Sequence, residues 1–359
     1  MSKRFWIATA LAVVASVGWR LLDVAVAQTL PPAAPVHSLS QIKPLPGAPN
    51  LNPTSHGHTV HIMPTVQGAR ALAKARALAP LSSGPPLVYH GGPIMRRTNL
   101  FAIFWIPPTL QNGGATGMSV AYQNLQTRLL ADYTANGIDN NNVQYYEIVG
   151  STNSYIKNAA GVQLPNSFAG SFVDTSPYPA SGCTDTFTPG NCITDAQIQA
   201  EIQKVMLAKG WTSGKNKMFL LYTSSGEGSC VGAFCAYTDY CAYHSFIGTT
   251  SPPIIYANMP FGNLSVCQVP GTPSPNGDAV ADAVASIATH EITEAITDPL
   301  LNAWFDSSSP GNEIADICNF NYGANGWDGG LANQQWDGHF YEVQMMFDNH
   351  TNTCVQLGP

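Results

Sequence analysis

Long apolar runs recur along the chain after residue 88. Continuous apolar stretches at residues 99–106, 218–222 and 254–259 predict strands that are covered on both faces. A further strand is predicted at residues 143–149. Runs of this kind are typical of a sheet that lies between layers of helices.

Stretches with helical spacing of apolar residues separate these runs. They predict helices at residues 118–135 and 195–209, and Gly210 marks the end of the second. A third helix is predicted from a cap at Asp278 to about Thr297, since Pro299 limits its continuation. Strands that alternate with helices predict an α/β (α+β) fold class.

The helix predicted at residues 278–297 carries polar residues opposite its apolar stripe. His290 and Glu294 lie on that opposite side, and the stripe consists of Ala288, Ile292, Ala295 and Ile296. A plain interpretation is an ordinary His–Glu pair, four residues apart, on an exposed helix face, worth about 0.2–0.5 kcal/mol.

The first 27 residues have the composition of an export signal. Lys3 and Arg4 precede an apolar run, and the small residues 25–27 offer a cleavage site. The run is shorter than the roughly 20 apolar residues of a membrane span. We expect a signal peptide at residues 1–27, with a retained anchor as the alternative. The mature protein is then secreted or periplasmic, without membrane insertion.

Residues 28–87 are rich in Pro and Ala and contain basic residues but no Asp or Glu, which predicts a linker or pro-segment. Residues 88–359 are predicted to form a single catalytic-like core domain. In this region acidic residues outnumber Lys and Arg by 21 to 8. Such a charge repels nucleic acid, so no nucleic-acid partner is expected.

All eight cysteines lie in the predicted core, and an even number in an exported chain indicates disulfides. A competing interpretation is a zinc cluster of Cys230, Cys235 and Cys241, although their spacing lacks a tight Cys-x-x-Cys pair. The order of the cysteines along the chain suggests the pairs Cys183–Cys192, Cys230–Cys235, Cys241–Cys267 and Cys318–Cys354.

One histidine and several carboxylates have the spacing of metal ligands. His290, Glu294 and Asp298 are four residues apart and share one helix face. Glu313 and Asp316 offer further oxygen ligands from a second element. Zinc is the expected metal, and the many carboxylates make Mn or Ca the alternative.

Hydrolysis at such a site needs a base beside the metal-bound water, and Glu291 next to His290 is the candidate catalytic residue. His244 is a weaker candidate, as a ligand or an oxyanion donor, and Tyr243 and His339 have the same status. We find no Gly-x-Ser-x-Gly motif and no phosphate-binding glycine loop.

Several short motifs are spread over the core: Tyr89-His90-Gly91-Gly92-Pro93, Phe104-Trp105, Cys241-Ala-Tyr-His244-Ser245, Pro275-Asn276-Gly277-Asp278 and Cys318. Together they resemble the phosphate-induced protein/EXORDIUM-like family. This family is best known from secreted plant proteins linked to cell-wall growth. The resemblance implies secretion more than it implies a reaction.

The segment from His290-Glu291-x-x-Glu294 to Glu313-x-x-Asp316 is also similar to exported microbial proteins of zinc-peptidase type. The similarity implies a zincin-like fold: a twisted mixed sheet with flanking helices and a disulfide-bridged, loop-rich C-terminal part. It further implies Glu313 as the third ligand and Asp316 as its support. Glu294 stands where zincins have a second histidine.

Two hypotheses follow. The first is an exported metal-dependent endopeptidase with a polypeptide substrate, in which residues 28–87 block the cleft until they are removed. The second is a non-catalytic extracellular EXORDIUM-like binding or matrix protein, with an extracellular polymer as partner and a structural metal site.

Overall fold

The computed structural model describes residues 54–55, 58–78, 87–133, 138–156, 167–248, 252–306 and 312–358. All of them belong to one compact unit, Ala48–Pro359. The predicted signal peptide, residues 1–27, lies outside the described residues, as does much of the predicted linker or pro-segment. Within the described part of the chain, no helix is both long and apolar enough to cross a membrane.

A six-stranded mixed sheet forms the centre of the fold. Its strands, numbered along the chain, are β1 (His61–Pro64), β2 (Asn99–Trp105), β3 (Ser167–Asp174), β4 (Lys217–Thr223), β5 (Tyr240–Ile247) and β6 (Ile254–Met259). Their order across the sheet is β1-β5-β6-β4-β2-β3. The last four in this order are mutually parallel, and β5 is antiparallel to both of its neighbours. The predicted α/β class with a mixed sheet is therefore confirmed.

Five helices accompany the sheet in the described residues: α1 (Val66–Leu78), α2 (Val120–Asp132), α3 (Asp195–Lys209), α4 (Leu264–Cys267) and α5 (Ala279–Thr297). The predicted bounds of α3 and α5 agree with the structure because both helices have strong local end signals. Thr194 and Gln197 form a capping box at the start of α3, and Gly210 ends it in the left-handed conformation.

Short two- and three-stranded sheets accompany the main sheet. They comprise Thr54–Ser55 with His58–Thr59, Val88–Tyr89 with Trp304–Phe305, Tyr146–Val149 with Thr152–Tyr155, Cys192–Thr194 with Gly228–Val231 and Phe234–Cys235, Gln334–Trp336 with His339–Tyr341, and Met346–Asp348 with Thr353–Val355. The strand predicted at residues 143–149 begins only at Tyr146, after a 3-10 turn at Asp139–Gln144. It pairs in a hairpin rather than in the main sheet.

Part of the predicted linker or pro-segment is built into the main sheet. Strand β1 pairs with β5, and its residues Ile62 and Met63 are buried in the hydrophobic core. Thr65 continues the contact by donating its backbone N–H to the Asp239 carbonyl at 3.1 Å. Residues 61–66 are thus part of the folded body and not an extended linker; whether the segment is removed stays a prediction.

Four disulfides join all eight cysteines, and their pairing is the one suggested by the order along the chain. The alternative zinc cluster is therefore wrong, since Cys230 pairs with Cys235 and Cys241 with Cys267. Paired cysteines of this density are typical of proteins that fold in an oxidising compartment.

Candidate metal centre

Helix α5 is buried along almost its whole length, although it contains many polar residues. The Asp278 carboxylate caps it by accepting a hydrogen bond from the Ala281 backbone N–H at 3.0 Å. Three threonine hydroxyls bond backwards to helix carbonyls: Thr289 to Ser286, Thr293 to Thr289, and Thr297 to Thr293. Because these groups satisfy themselves within the helix, α5 can run through the interior next to the sheet.

His290, Glu291 and Glu294 on α5 are all 0 % exposed. The interpretation as an exposed helix pair is therefore wrong: the polar side of α5 faces β5 and the turn that follows residue 312. Nε2 of His290 lies 3.1 Å from Oε1 of Glu294, as their spacing of four residues predicts.

The central sheet supplies two histidines to the same place. His244 on β5 and His61 on β1 are direct partners in the antiparallel register, and their rings lie 5.8 Å apart. Nδ1 of His244 lies 3.3 Å from Oε2 of Glu291 and 3.6 Å from Oε2 of Glu294. Nε2 of His244 lies 3.5 Å from Oε2 of Glu313, and Nδ1 of His61 lies 3.1 Å from the same oxygen.

Glu313 and Asp316 come from the turn after residue 312. The Asp316 backbone N–H donates to Oε1 of Glu294 at 3.0 Å, and the Glu313 N–H donates to Oδ2 of Asp316 at 3.2 Å. Gln344 supports the turn by donating its side-chain N–H to the Ala315 carbonyl at 3.0 Å. The turn also includes Cys318, which a disulfide links to Cys354. These bonds fix both carboxylates beside α5.

Asp298 closes the C-terminal end of α5. Its Oδ1 accepts hydrogen bonds from the backbone N–H groups of Asn302 and Ala303 at 2.6 and 2.7 Å. Burial raises its pKa to about 6, although these bonds and the neighbouring Glu313 carboxyl oppose the rise. Asp298 thus has a structural role and also adds a negative charge next to Glu313.

The carboxylates of the cluster influence one another strongly. Burial raises the pKa of Glu313 well above its ordinary value, and the charges of Glu294, Asp298 and Asp316 add to the effect. Burial likewise raises the pKa of Glu291. Burial alone would raise the pKa of Glu294 as well. The nearby His290 and His244 outweigh burial and hold this pKa below the usual range.

The three histidines of the cluster differ in charge. Burial and the neighbouring His244 lower the pKa of His61 to about 3, so its ring is neutral. Burial by itself would lower the pKa of His244. Its contacts with Glu291 and Glu294 outweigh this effect and raise the pKa to about 10. For His290 the charge of Glu294 outweighs burial, and its pKa rises to about 9. The positive charges of His244 and His290 neutralise part of the negative charge of the carboxylates.

The cluster offers ligand atoms in two groups, each with its members within 4.8 Å of one another: His244, Glu294 and Glu313, and His290, Glu294 and Asp316. Several of these atoms are buried without a hydrogen-bond partner among the described residues: Nε2 of His244, Nε2 of His290, Oε2 of Glu294 and both oxygens of Glu313. Buried atoms of this kind are costly unless a proton or a cation satisfies them. Imidazole and carboxylate groups in this arrangement have the chemistry to hold a divalent metal ion.

All six residues predicted for the site lie in this cluster, but two other candidates do not contribute their side chains to it. The Tyr243 hydroxyl donates to Oδ1 of Asp195 at 2.8 Å. Nδ1 of His339 lies 2.7 Å from Oδ2 of Asp132. Both side chains therefore form polar contacts outside the cluster.

A cavity of about 300 Å³ lies next to the cluster. Helix α1 forms one wall through Val66, Ala69 and Arg70, and the turn with Asp316 and Phe320 forms the other. Asp316 therefore joins the buried cluster to a space beside the helix of the predicted pro-segment.

Comparison with known proteins shows which family the second half of the chain resembles. Residues 181–357 match the model of the phosphate-induced protein 1 conserved region. The match contains all four disulfides, β5, α5 and both carboxylates of the turn after residue 312. It does not include His61 or the motif at residues 89–93. The resemblance to the phosphate-induced protein/EXORDIUM-like family is thus supported for the second half of the chain.

Two curated plant proteins are similar to the chain. Protein EXORDIUM-like 3 from Arabidopsis thaliana is 30% identical over 177 residues, which are 43% of this chain and 50% of the relative. Protein EXORDIUM-like 5 from the same plant is 29% identical over 185 residues, 45% of this chain and 49% of the relative. The chain thus spans about half the length of these relatives. No solved structure matches it at a significant level.

Sequence reasoning missed His61 and gave His244 little weight. His61 stands in a Pro- and His-rich stretch without a recognisable motif. The signal that could have found the pair is strand pairing, because two paired strands that each carry a histidine at the same register position bring the two rings together.

Proposed function

We propose that this chain is a secreted, non-catalytic EXORDIUM-like protein whose buried histidine–carboxylate cluster holds a divalent cation as part of the fold. The family match and the four disulfides support the extracellular setting. Zinc is the first candidate ion and manganese the second. We propose an extracellular polymer as the partner of the outer surface.

Complete burial is the observation that carries this proposal. His244, His290, Glu291, Glu294 and Glu313 are each 0 % exposed, so within the described part of the chain none of these side chains offers surface to a polymer substrate. A buried ion that links α5, β5 and the turn after residue 312 stabilises the folded state, because the unfolded chain does not assemble its ligands.

The contacts of Glu291 support the same interpretation. Its Oε2 faces Nδ1 of His244, while Nε2 of that ring faces Glu313. In metal sites a carboxylate behind a ligating histidine fixes the orientation and tautomer of the ring. We infer that Glu291 positions His244 and does not activate water.

Metal analysis tests the proposal directly. The purified secreted protein is expected to contain at least one equivalent of zinc or manganese, and His290→Ala is expected to lose metal. His339→Ala serves as the matched control, since its ring lies against Asp132 outside the cluster. A wild-type protein without metal, after loading with either ion, would overturn the proposal.

A peptidase is the second candidate, because Oε1 of Glu291 is buried without a hydrogen-bond partner among the described residues and lies beside the candidate metal ligands. Glu291→Gln separates the two functions. A positioning role predicts metal binding weaker by about 10–100-fold, with no peptide cleavage in either protein. A peptidase predicts cleavage of a denatured protein by the metal-loaded wild type, lost in Glu291→Gln while the metal stays bound.

A further inference from the structure

The two carboxylate oxygens of Glu294 face two different sets of groups. Oε1 lies 3.1 Å from Nε2 of His290 and accepts the Asp316 backbone N–H at 3.0 Å. Oε2 lies on the side of His244, 3.6 Å from its Nδ1, and has no hydrogen-bond partner among the described residues. One side chain thus belongs to both ligand groups of the cluster.

Each side of Glu294 has enough ligands for its own cation. On the first side, His290 and Asp316 complete a group with Glu294, and Nε2 of His290 lies 3.7 Å from Oδ1 of Asp316. On the second side, His244 and Glu313 complete a group with Glu294. A carboxylate that binds through both oxygens commonly bridges two metal ions about 3.5–4 Å apart.

We propose that the cluster binds two divalent cations, Zn²⁺ or Mn²⁺, with Glu294 as the bridging carboxylate. This proposal rests on the proposed function and extends it from a single ion to a two-ion centre. Each ion receives one imidazole from the pair His244 and His290. His61 adds a further nitrogen next to Glu313 on the second side.

The charge of the cluster favours two ions over one. Its carboxylates are Glu291, Glu294, Asp298, Glu313 and Asp316, and all are buried. When metal binding displaces the protons from the histidine rings and the carboxyl groups, one divalent cation leaves a formal charge of −3 in the interior, whereas two leave −1. Uncompensated buried charge is strongly destabilising, so the second cation is the favourable way to complete the site.

Buried, unpartnered atoms indicate the second ion independently of the acidic residues. Nε2 of His244 and Oε2 of Glu313 are fully buried and lie 3.5 Å apart, and Nδ1 of His61 is 3.1 Å from the same oxygen, but none of these contacts has the geometry of a hydrogen bond. They lie on the side of Glu294 opposite His290. An ion held by His290, Glu294 and Asp316 would leave these atoms unsatisfied.

The test counts ions in the full secreted chain. The protein is stripped with a chelator, reloaded with Mn²⁺ or Zn²⁺, freed of excess metal and analysed for metal per chain. Two equivalents are expected for the wild type and for His339→Ala. One equivalent is expected for His290→Ala and for His244→Ala, and loss of both for Glu294→Ala.

Spectroscopy of the wild type keeps the test independent of how well the variants fold. Two bridged Mn²⁺ ions are expected to give an exchange-coupled paramagnetic resonance spectrum, and a single ion gives the hyperfine pattern of isolated Mn²⁺. One equivalent with an isolated spectrum would overturn the two-ion centre and leave the proposed function standing. Absence of any bound metal would overturn both.

Discussion

Glu227 is a buried carboxylate outside the cluster whose ionisation opposes folding. Burial raises its pKa to about 8, and the Gln111 backbone N–H opposes this rise only in part. In the unfolded chain the group ionises near its ordinary value of 4.5. Between these values the folded state holds a proton that the unfolded state has lost, so the stability contributed by this group falls as the pH rises.

Glu227→Gln removes this pH-dependent loss. We expect the variant to be more stable than the wild type at pH 9, by on the order of 2 kcal/mol, and of similar stability at pH 4. Urea unfolding at the two pH values measures the difference. Glu147→Gln is the control: Glu147 forms an ion pair with Arg96 at 2.6 Å, so its loss should bring no gain at pH 9. An equal pH dependence of Glu227→Gln and wild type would show that the fold does not raise the pKa of Glu227.

Residue spacing predicted the helical and C-terminal part of the cluster but not the part contributed by the sheet. His290 and Glu294 are neighbours because helix geometry puts residues four apart on one face, and this rule needs only the sequence. The pairing of His61 with His244 depends on which strands meet, and no local pattern fixes that. Burial of the polar side of α5 was missed for the same reason.

At the scale of elements, predictions succeeded where both ends of an element carry local signals. The Asp278 cap and Pro299 bracket α5, and the Thr194 box and Gly210 bracket α3. The sequence did not reveal that residues 143–149 divide between a 3-10 turn and a hairpin strand, because sheet membership depends on distant partners. Strand β1 was missed because its four residues are too short for a periodic pattern.

The packing of strand β1 predicts the effect of a substitution inside the predicted linker. Met63 is 1 % exposed and belongs to the hydrophobic core, so Met63→Ala should lower the free energy of unfolding by about 2–5 kcal/mol. Gln67 on the exposed side of α1 is the matched control, and Gln67→Ala should change stability by less than about 0.5 kcal/mol.

Chemical denaturation of the purified protein compares the two variants. If Met63→Ala had no more effect than Gln67→Ala, β1 would not be docked on β5 in the mature protein. That result would favour removal of the segment, and it would also take His61 away from the cluster. A clear loss of stability would instead show that residues 61–66 remain part of the fold.

At the scale of the whole molecule, the cluster joins segments that are far apart along the chain. His61, His244, α5 and the turn with Asp316 meet at one point. The cation that we propose at this point would bind the folded chain and not the unfolded one, and it would therefore raise the free energy of unfolding by mass action. The disulfide Cys318–Cys354 restrains the same turn and should be coupled to this effect.

Removal of the Cys318–Cys354 bridge tests that coupling. The double variant Cys318→Ala/Cys354→Ala should lose about 2–4 kcal/mol of stability because the unfolded chain becomes less restricted. It should also bind metal more weakly, on the order of tenfold, because the turn that carries Glu313 and Asp316 loses its anchor. Metal titration of the chelator-treated protein measures the affinity.

The disulfide Cys183–Cys192 offers the matched control. It joins the loop before α3 to the strand Cys192–Thr194, and neither half-cystine contacts the cluster in the described part of the chain. Cys183→Ala/Cys192→Ala should therefore lose stability without losing metal affinity. If both double variants weakened metal binding equally, the effect would reflect global destabilisation. If only the first did so, the Cys318–Cys354 bridge positions the ligands.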